Sequence, residues 1–328
     1  VTAPSLAIGL DAGGTKVLGV VADAAGTVHD RELQEMPATE PTGSVEVLVA
    51  VAGELRARNP GVDGVGVGAA GMVTFDGVMR FAPNVAWREF PLKRHLEDAL
   101  DLPATVDNDA NVAAWGEFLY GAGRGAKELL VVTVGTGIGG AIVSNGRLMR
   151  GAHGFGGEIG HIIVEQNGPL CGCGNRGCWE QVAAGRAIDR LGRQVAREHP
   201  ESEIARLAGG DPDAVRGPIV ATAAHAGDPV AIMVLGEVGR RLGEGIAGLV
   251  NVLDCDVVVV GGGAAMAGEA LLEPARRAME KAIEAPTYRP PVAFRSSALG
   301  YEAGALGAAA LALEVSPDPR PTSPARDA

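Results

Sequence analysis

Short apolar runs separated by glycine open the chain. Residues 5–10 are apolar up to Asp11, the segment Ala12-Gly13-Gly14-Thr15-Lys16 interrupts them, and residues 17–22 are apolar again. Runs this short, bounded by glycine, predict strand, turn, strand, with Asp23 to Thr27 as the next turn and a third strand over about 27–33. The period then changes. Val45, Leu48, Val49, Ala52 and Leu55 share one face of a helix predicted over 43–58, and the glycine-valine alternation of 61–68 reads as a buried strand. A loop follows, then a hairpin turn at Asp76-Gly77, a helix over about 92–100, a strand over 102–106 and a helix over 110–120.

The second half restarts the same design. Residues 129–134 predict a strand, Gly135-Thr136-Gly137-Ile138-Gly139-Gly140 a second glycine turn, and residues 141–144 the strand after it, closed by the hairpin pair Asn145-Gly146. Two such turns about 120 residues apart imply two similar α/β domains facing one another across a cleft. Residues 183–252 are almost wholly helical in pattern, broken at Pro200, Gly209-Gly210 and Asp228-Pro229. A buried strand over 255–260 runs into Gly261-Gly262-Gly263, where a flat base or ribose has bare backbone to lie against. A helix over 268–283, a strand over 292–295 and an alanine-rich helix over 302–313 complete the pattern. Residues 316–328 carry four prolines and predict a disordered tail.

Composition narrows the function. A chain of 328 residues, 47% hydrophobic and 21% charged, has the make-up of a globular protein with room for two cores. A net charge of −12 without a Lys/Arg run argues against a nucleic-acid surface, and no apolar run is long enough to cross a bilayer. Residues 1–4 have no leader-like character, so a cytoplasmic location is expected.

The densest chemistry lies between Glu158 and Glu180. Cys171, Cys173 and Cys178 fall within eight positions, and with His161 they supply the donor types that Zn²⁺ takes in a closed tetrahedral site. The competing reading is a disulfide with a spare thiol, which the odd count and the absence of a secretory signal disfavour. A closed site leaves no position for substrate, so the metal would hold shape, fixing Glu158, His161 and Glu180 as polar groups for a polyhydroxyl ligand. At the first glycine turn, backbone N–H groups are free to approach phosphate and Asp11 is placed to bind Mg²⁺ through water, although a plain hairpin turn explains that stretch as well. Asp107-Asn108-Asp109-Ala110-Asn111 marks a strand-to-helix handover, the ligand-binding end of an open α/β sheet; helix capping accounts for one of its polar residues but not for all four.

Taken in order, Asp11-Ala12-Gly13-Gly14-Thr15, Asp107-Asn108-Asp109, Gly135 to Gly140, Glu158-Ile159-Gly160-His161 and the segment 171–180 resemble the ROK family of bacterial sugar kinases, and the glucokinases among them most. The likeness extends over about residues 6–313. It implies an actin-like ATPase (ribonuclease H-like) fold with two α/β domains flanking a cleft: an N-terminal domain over 1–118 joined by a returning helix at 302–314, a larger C-terminal domain over 119–301 with the zinc loop, and a disordered tail over 315–328. It further implies Asp109 as catalytic base, with Asn108, Glu158, His161 and Glu180 on the sugar, and Gly71 and Asn84 contributing. Mg-ATP would lie against Asp11, Gly13, Gly14, Thr15, Lys16, Gly135, Thr136, Gly137, Gly262 and Gly263. A structural zinc would be held by His161, Cys171, Cys173 and Cys178, with one His161 ring nitrogen left for a hydroxyl. Trp179 and Ala141 depart from the usual family residues, and Trp179 is placed where it would alter the rim of the sugar pocket.

The expected activity is transfer of the γ-phosphoryl of ATP to the 6-hydroxyl of glucose, by a homodimer or homotetramer, as a step of glycolysis. Fructose, mannose or an N-acetylated hexosamine as acceptor, and polyphosphate as donor, stay open. A sugar-responsive repressor, which the family also contains, is not expected, because the first strand begins at about residue 5 with no DNA-reading helix pair before it.

Overall fold

The computed structural model describes residues 5–36, 41–82 and 87–314; Asn84 and the tail expected over 315–328 lie outside the described residues. The chain divides into two compact units, Val1–Gly116 with Glu302–Ala328, and Glu117–Tyr301.

The first unit contains β1 (Leu6–Ala12), β2 (Lys16–Asp23), β3 (Val28–Glu35), α1 (Pro41–Arg58) and β4 (Val62–Ala69). A small antiparallel sheet of β5 (Met72–Val73), β6 (Met79–Phe81) and β7 (Arg88–Phe90) follows, then α2 (Leu92–Leu100), β8 (Ala104–Asn108) and the start of α3 (Asp109–Tyr120). The main sheet has the order β3-β2-β1-β4-β8, antiparallel from β3 to β1 and parallel from β1 to β8. Ile8, Leu10, Val65 and Val67 join Leu48, Val51, Leu55, Leu92 and Leu96 of the two helices in one core. Strand alternation turns Gly9 and Gly66 to the other face. There the last helix among the described residues, Ala303–Glu314, packs so closely that a Cβ on Gly66 would collide with the Ala308 carbonyl.

The second unit repeats this sheet. Its strands are β9 (Glu128–Val134), β10 (Ile138–Ser144) and β11 (Arg147–Leu148). Helices α4 (Glu180–Ala183), α5 (Gly185–Glu198), α6 (Glu203–Leu207), α7 (Gly217–His225) and α8 (Pro229–Leu253) come next. β12 (Val257–Gly261), α9 (Glu269–Ala282) and β13 (Ala293–Ser296) finish it. The order β11-β10-β9-β12-β13 has the same alternation of antiparallel and parallel pairs as the first sheet. Asn145 and Gly146 have φ of 50° and 72°, the left-handed pair that a two-residue hairpin needs. Asp228 caps α8, accepting from the Val230 and Ala231 amides at 2.9 and 3.0 Å, which is why the helical region breaks at Asp228-Pro229.

One expectation is corrected here. Ile138, Gly139 and Gly140 are not part of the second glycine turn but pair with Val134, Thr133 and Val132 inside β10. The turn is only Gly135 to Gly137, closed by the Gly135 amide on the Gly137 carbonyl at 2.9 Å. Gly140 is bare because Ile159 packs onto it, so its role is packing rather than turning.

Candidate functional site

In the first unit the register puts Asp11 of β1 opposite Gly68 of β4, and Gly68 opposite Asp107 of β8, all at the carboxyl ends of parallel strands. That is where ligands bind in open α/β sheets. Of the polar residues from 107 to 111, Asn108 is the capping residue. Its Oδ1 accepts from the Ala110 and Asn111 amides at 2.8 and 3.2 Å, and its Nδ2 donates to the Gly71 carbonyl at 3.1 Å. Asn108 and Gly71 are thereby brought together. Asp107 and Asn111 are buried against each other, Nδ2 to Oδ1 at 2.8 Å, and brace the same corner. Asp109 stands at the helix start, its Oδ1 accepting from the Ala110 amide at 3.0 Å.

Asp11 and Asp109 are electrostatic neighbours. Burial first, then the Asp109 charge, raise the Asp11 carboxyl from its ordinary value to about 7, and burial raises Asp109 as well. A carboxyl raised by burial and by a neighbouring carboxylate is one that a bound cation would return to its ionised form. The turn after Asp11 is a hairpin turn, with the Gly13 amide on the Lys16 carbonyl at 3.0 Å and Gly13, Thr15 and Lys16 exposed. Because the folded Asp11 pKa lies above its unfolded value, the folded state holds a proton that the unfolded state releases between about pH 4 and pH 7. Stability is therefore lost as pH rises through that window. In metal-free buffer, Asp11→Asn is expected to unfold at a higher temperature than the parent, by a margin that grows from pH 4.5 to pH 7 and then levels; thermal melts at three pH values check this.

In the second unit, His161, Cys171, Cys173 and Cys178 offer donor atoms that all lie within 4.8 Å of one another. Cys173 Sγ is 3.6 Å from Cys178 Sγ, and Cys171 Sγ is 3.6 Å from His161 Nδ1. Metal–sulfur bonds of about 2.3 Å in a tetrahedron put neighbouring sulfurs about 3.8 Å apart, so the spacing suits zinc. All four cysteines of the chain are free thiols. Burial, followed by the neighbouring Cys173 and Cys171, pushes the Cys178 thiol up to about 12, and burial raises Cys171, while the Asn175 amide pulls Cys173 down. Cys171 and Cys178, held protonated by burial, are thiols that a divalent cation would bring to the thiolate form alongside Cys173. His161 presents Nε2 to Glu158 Oε2 at 3.8 Å, so the imidazole has one nitrogen toward the sulfurs and one toward the carboxylate.

Glu180 opens α4. Its Oε1 lies 3.0 Å from Cys171 Sγ and accepts from Gln181 Nε2 at 3.0 Å. Its Oε2 lies against bare Gly137, where a Cβ would collide with it. The turn Gly135 to Gly137 is tied to α5 by the Gly185 amide on the Gly135 carbonyl at 2.9 Å and the Arg186 amide on the Thr136 carbonyl at 3.2 Å. Gly262, with φ of 91°, presses on the backbone of Val134 just before that turn, and Gly263 follows it. The second unit thus gathers Glu158, His161, Glu180, Gly135 to Gly137 and Gly262-Gly263 around the ends of β9 and β12. Trp179, expected at a pocket rim, is instead fully buried, its Nε1 donating to the Arg241 carbonyl at 3.1 Å and its ring filling the space left by Gly245.

Sequence reasoning missed Gln181 and Arg186, which stand one and six residues after Glu180. It also missed Glu117, a buried carboxylate that accepts from Ser297 Oγ at 2.6 Å, the Ala122 amide at 2.7 Å and the Leu299 amide at 2.9 Å. Nothing in the local pattern around Glu117 signals it, since two of these three partners, Ser297 and Leu299, are about 180 residues away.

The chain matches the ROK family over residues 7–315. It is 40% identical to the glucokinase of Streptomyces coelicolor over 96% of this chain and 99% of that one. It is 38% identical to the glucokinase of Halalkalibacterium halodurans over 92% of each. Among solved structures, it is similar to the ROK family glucokinase from Streptomyces griseus in complex with glucose and AMPPNP, with a TM-score of 0.86 and 39% identity over 94% of this chain and 100% of that one. The fold is accordingly the actin-like ATPase fold.

Proposed function

The chain belongs to the ROK family, and from that membership we propose that it is an ATP-dependent glucokinase producing glucose 6-phosphate. What carries the reading is likeness along nearly the whole of both chains to proteins named glucokinase, one of them solved with glucose and an ATP analogue.

In this reading Asp109 faces the 6-hydroxyl of glucose. A sugar hydroxyl is far less acidic than a carboxyl, so Asp109 first orients the nucleophile and takes its proton only as the new O–P bond forms and the bond from the γ-phosphorus to the β-phosphate oxygen breaks, leaving ADP. A carboxyl raised by burial is a stronger base for that role than an exposed one. Asn108, Glu158, His161 and Glu180 hold sugar hydroxyls, with Gly71 and Asn84 contributing. The backbone of Gly13 to Lys16, Gly135 to Gly137 and Gly262-Gly263 takes the nucleotide, while Asp11 takes its Mg²⁺ through water. Most of the acceleration comes from placement and charge neutralisation. His161, Cys171, Cys173 and Cys178 would hold a zinc ion, which supplies shape to the loop and no chemistry, its four positions being filled by protein.

A coupled assay over glucose, fructose, mannose and N-acetylglucosamine, each with ATP and with polyphosphate, tests the assignment. The glucose and ATP pair is expected to give the highest kcat/KM. Absence of ADP formation with glucose and ATP would sink the reading, and a higher kcat/KM with another pair would reassign the substrate or the donor.

A further inference from the structure

We propose that Arg186 is a phosphate-binding residue of the reaction, its guanidinium contacting the phosphate chain of the nucleoside triphosphate at the Gly135 to Gly137 turn. The inference rests on the proposed reading of that turn as a nucleotide site.

Arg186 is tied to the turn by its own backbone, whose amide donates to the Thr136 carbonyl at 3.2 Å, so its side chain starts from the second residue of α5 directly beside it. The guanidinium is half exposed, and its ionic partner among the described residues is Glu180, Nη1 to Oε1 at 3.8 Å. That separation is too long for a hydrogen bond, and such a pair at a half-exposed position is worth little. Glu180 does not depend on it either, since the same Oε1 already accepts from Gln181 at 3.0 Å. The guanidinium is therefore a forked donor held near the turn with its hydrogen-bonding capacity unspent. A triphosphate is the ligand that uses it, because guanidinium matches phosphate oxygens two at a time.

Charge points the same way. The chain carries a net charge of −12, and the carboxylates assigned to this chemistry repel a polyanion. Backbone amides of a glycine turn supply partial charges, whereas Arg186 supplies a full one that burial does not remove. While no phosphate is bound, the nearby Glu180 carboxylate serves as its counter-charge.

The test pairs Arg186→Met and Arg186→Lys with Gly135→Asp, a control that sets a carboxylate on the turn where a Cβ meets nothing within 4 Å. Glucose KM, ATP KM, kcat and the calorimetric affinity for an unreactive ATP analogue are measured for each. Arg186→Met is expected to weaken analogue binding and raise the ATP KM by at least about tenfold, the loss typical of a hydrogen bond to a charged group, with Arg186→Lys between it and the parent. Glucose KM should change by less than about twofold, well under the loss of one such bond. If Gly135→Asp abolishes analogue binding while Arg186→Met leaves it intact, or moves only glucose KM, Arg186 serves Glu180 and the proposal fails while the nucleotide turn stands. If Gly135→Asp itself binds the analogue normally, the turn is not a phosphate site and both readings fall.

Discussion

Asp109→Asn is expected to bind glucose and Mg-ATP about as well as the parent and to turn over about 10² to 10⁴ times more slowly, the range lost with a general base. The substitution is conservative in structure. Asp109 accepts from the Ala110 amide through Oδ1, which an asparagine oxygen can still do, and the cap of α3 belongs to Asn108, which is untouched. What disappears is the acceptor for the hydroxyl proton and one negative charge. The second loss has its own signature. The Asp109 charge is part of what raises Asp11 to about 7, so in the variant the Asp11 carboxyl titrates at lower pH and is more fully ionised at pH 6. Asp11, followed by NMR titration, should therefore ionise at lower pH in the variant than in the parent while kcat collapses. Near-normal turnover would remove Asp109 from the role of base, and an unaltered Asp11 titration would show that the two carboxyls do not sense one another.

Much of this was legible because strands and glycine turns are local signals. The apolar runs at β1, β9 and β12 and the turn at Gly13-Gly14 follow from period and punctuation alone, and Asn145-Gly146 names its own hairpin. The two misreadings, the glycines after Gly137 and Trp179, share a cause: a role set by packing that the residue's own neighbours in sequence do not show. Gly139 and Gly140 look like turn residues until β9 pairs with them and Ile159 packs on one of them. Trp179, expected at the rim of the sugar pocket, is drawn into the core because Gly245 on α8, 66 residues on, leaves room for the indole. Asn108 is no misreading: its side chain caps α3 and donates to Gly71, and a sugar hydroxyl bound there would share those groups. Gln181 has no signal of its own in the sequence, since the bond it makes to Glu180 depends on how α4 begins.

Cys173→Ser should lose bound zinc and, with it, glucose affinity by about 10- to 100-fold, the scale seen when groups that orient a site are removed. Cys173 is the exposed member of the cysteine set, so exchanging sulfur for oxygen there disturbs little packing in the chain itself. It does remove one of four donors, and a neutral hydroxyl does not replace a thiolate on zinc. Without the ion, nothing but weak S–H contacts holds Cys171 near His161 at 3.6 Å, and the two remaining thiols, Cys171 and Cys178, regain their protons. The imidazole is then free to rotate, and Nε2 is no longer fixed toward Glu158. Glu180 is affected less, because Gln181 still holds its Oε1 and Gly137 still lies against its Oε2. ATP affinity should accordingly change by much less than glucose affinity, the Gly135 to Gly137 turn being tied to α5 by backbone bonds that need no metal. Metal analysis with glucose and ATP titrations of this variant, and of the parent after chelation, should give matching shifts. Retained zinc would mean the ion is not held by these four residues, and lost zinc with unchanged glucose affinity would mean the loop keeps its shape without it.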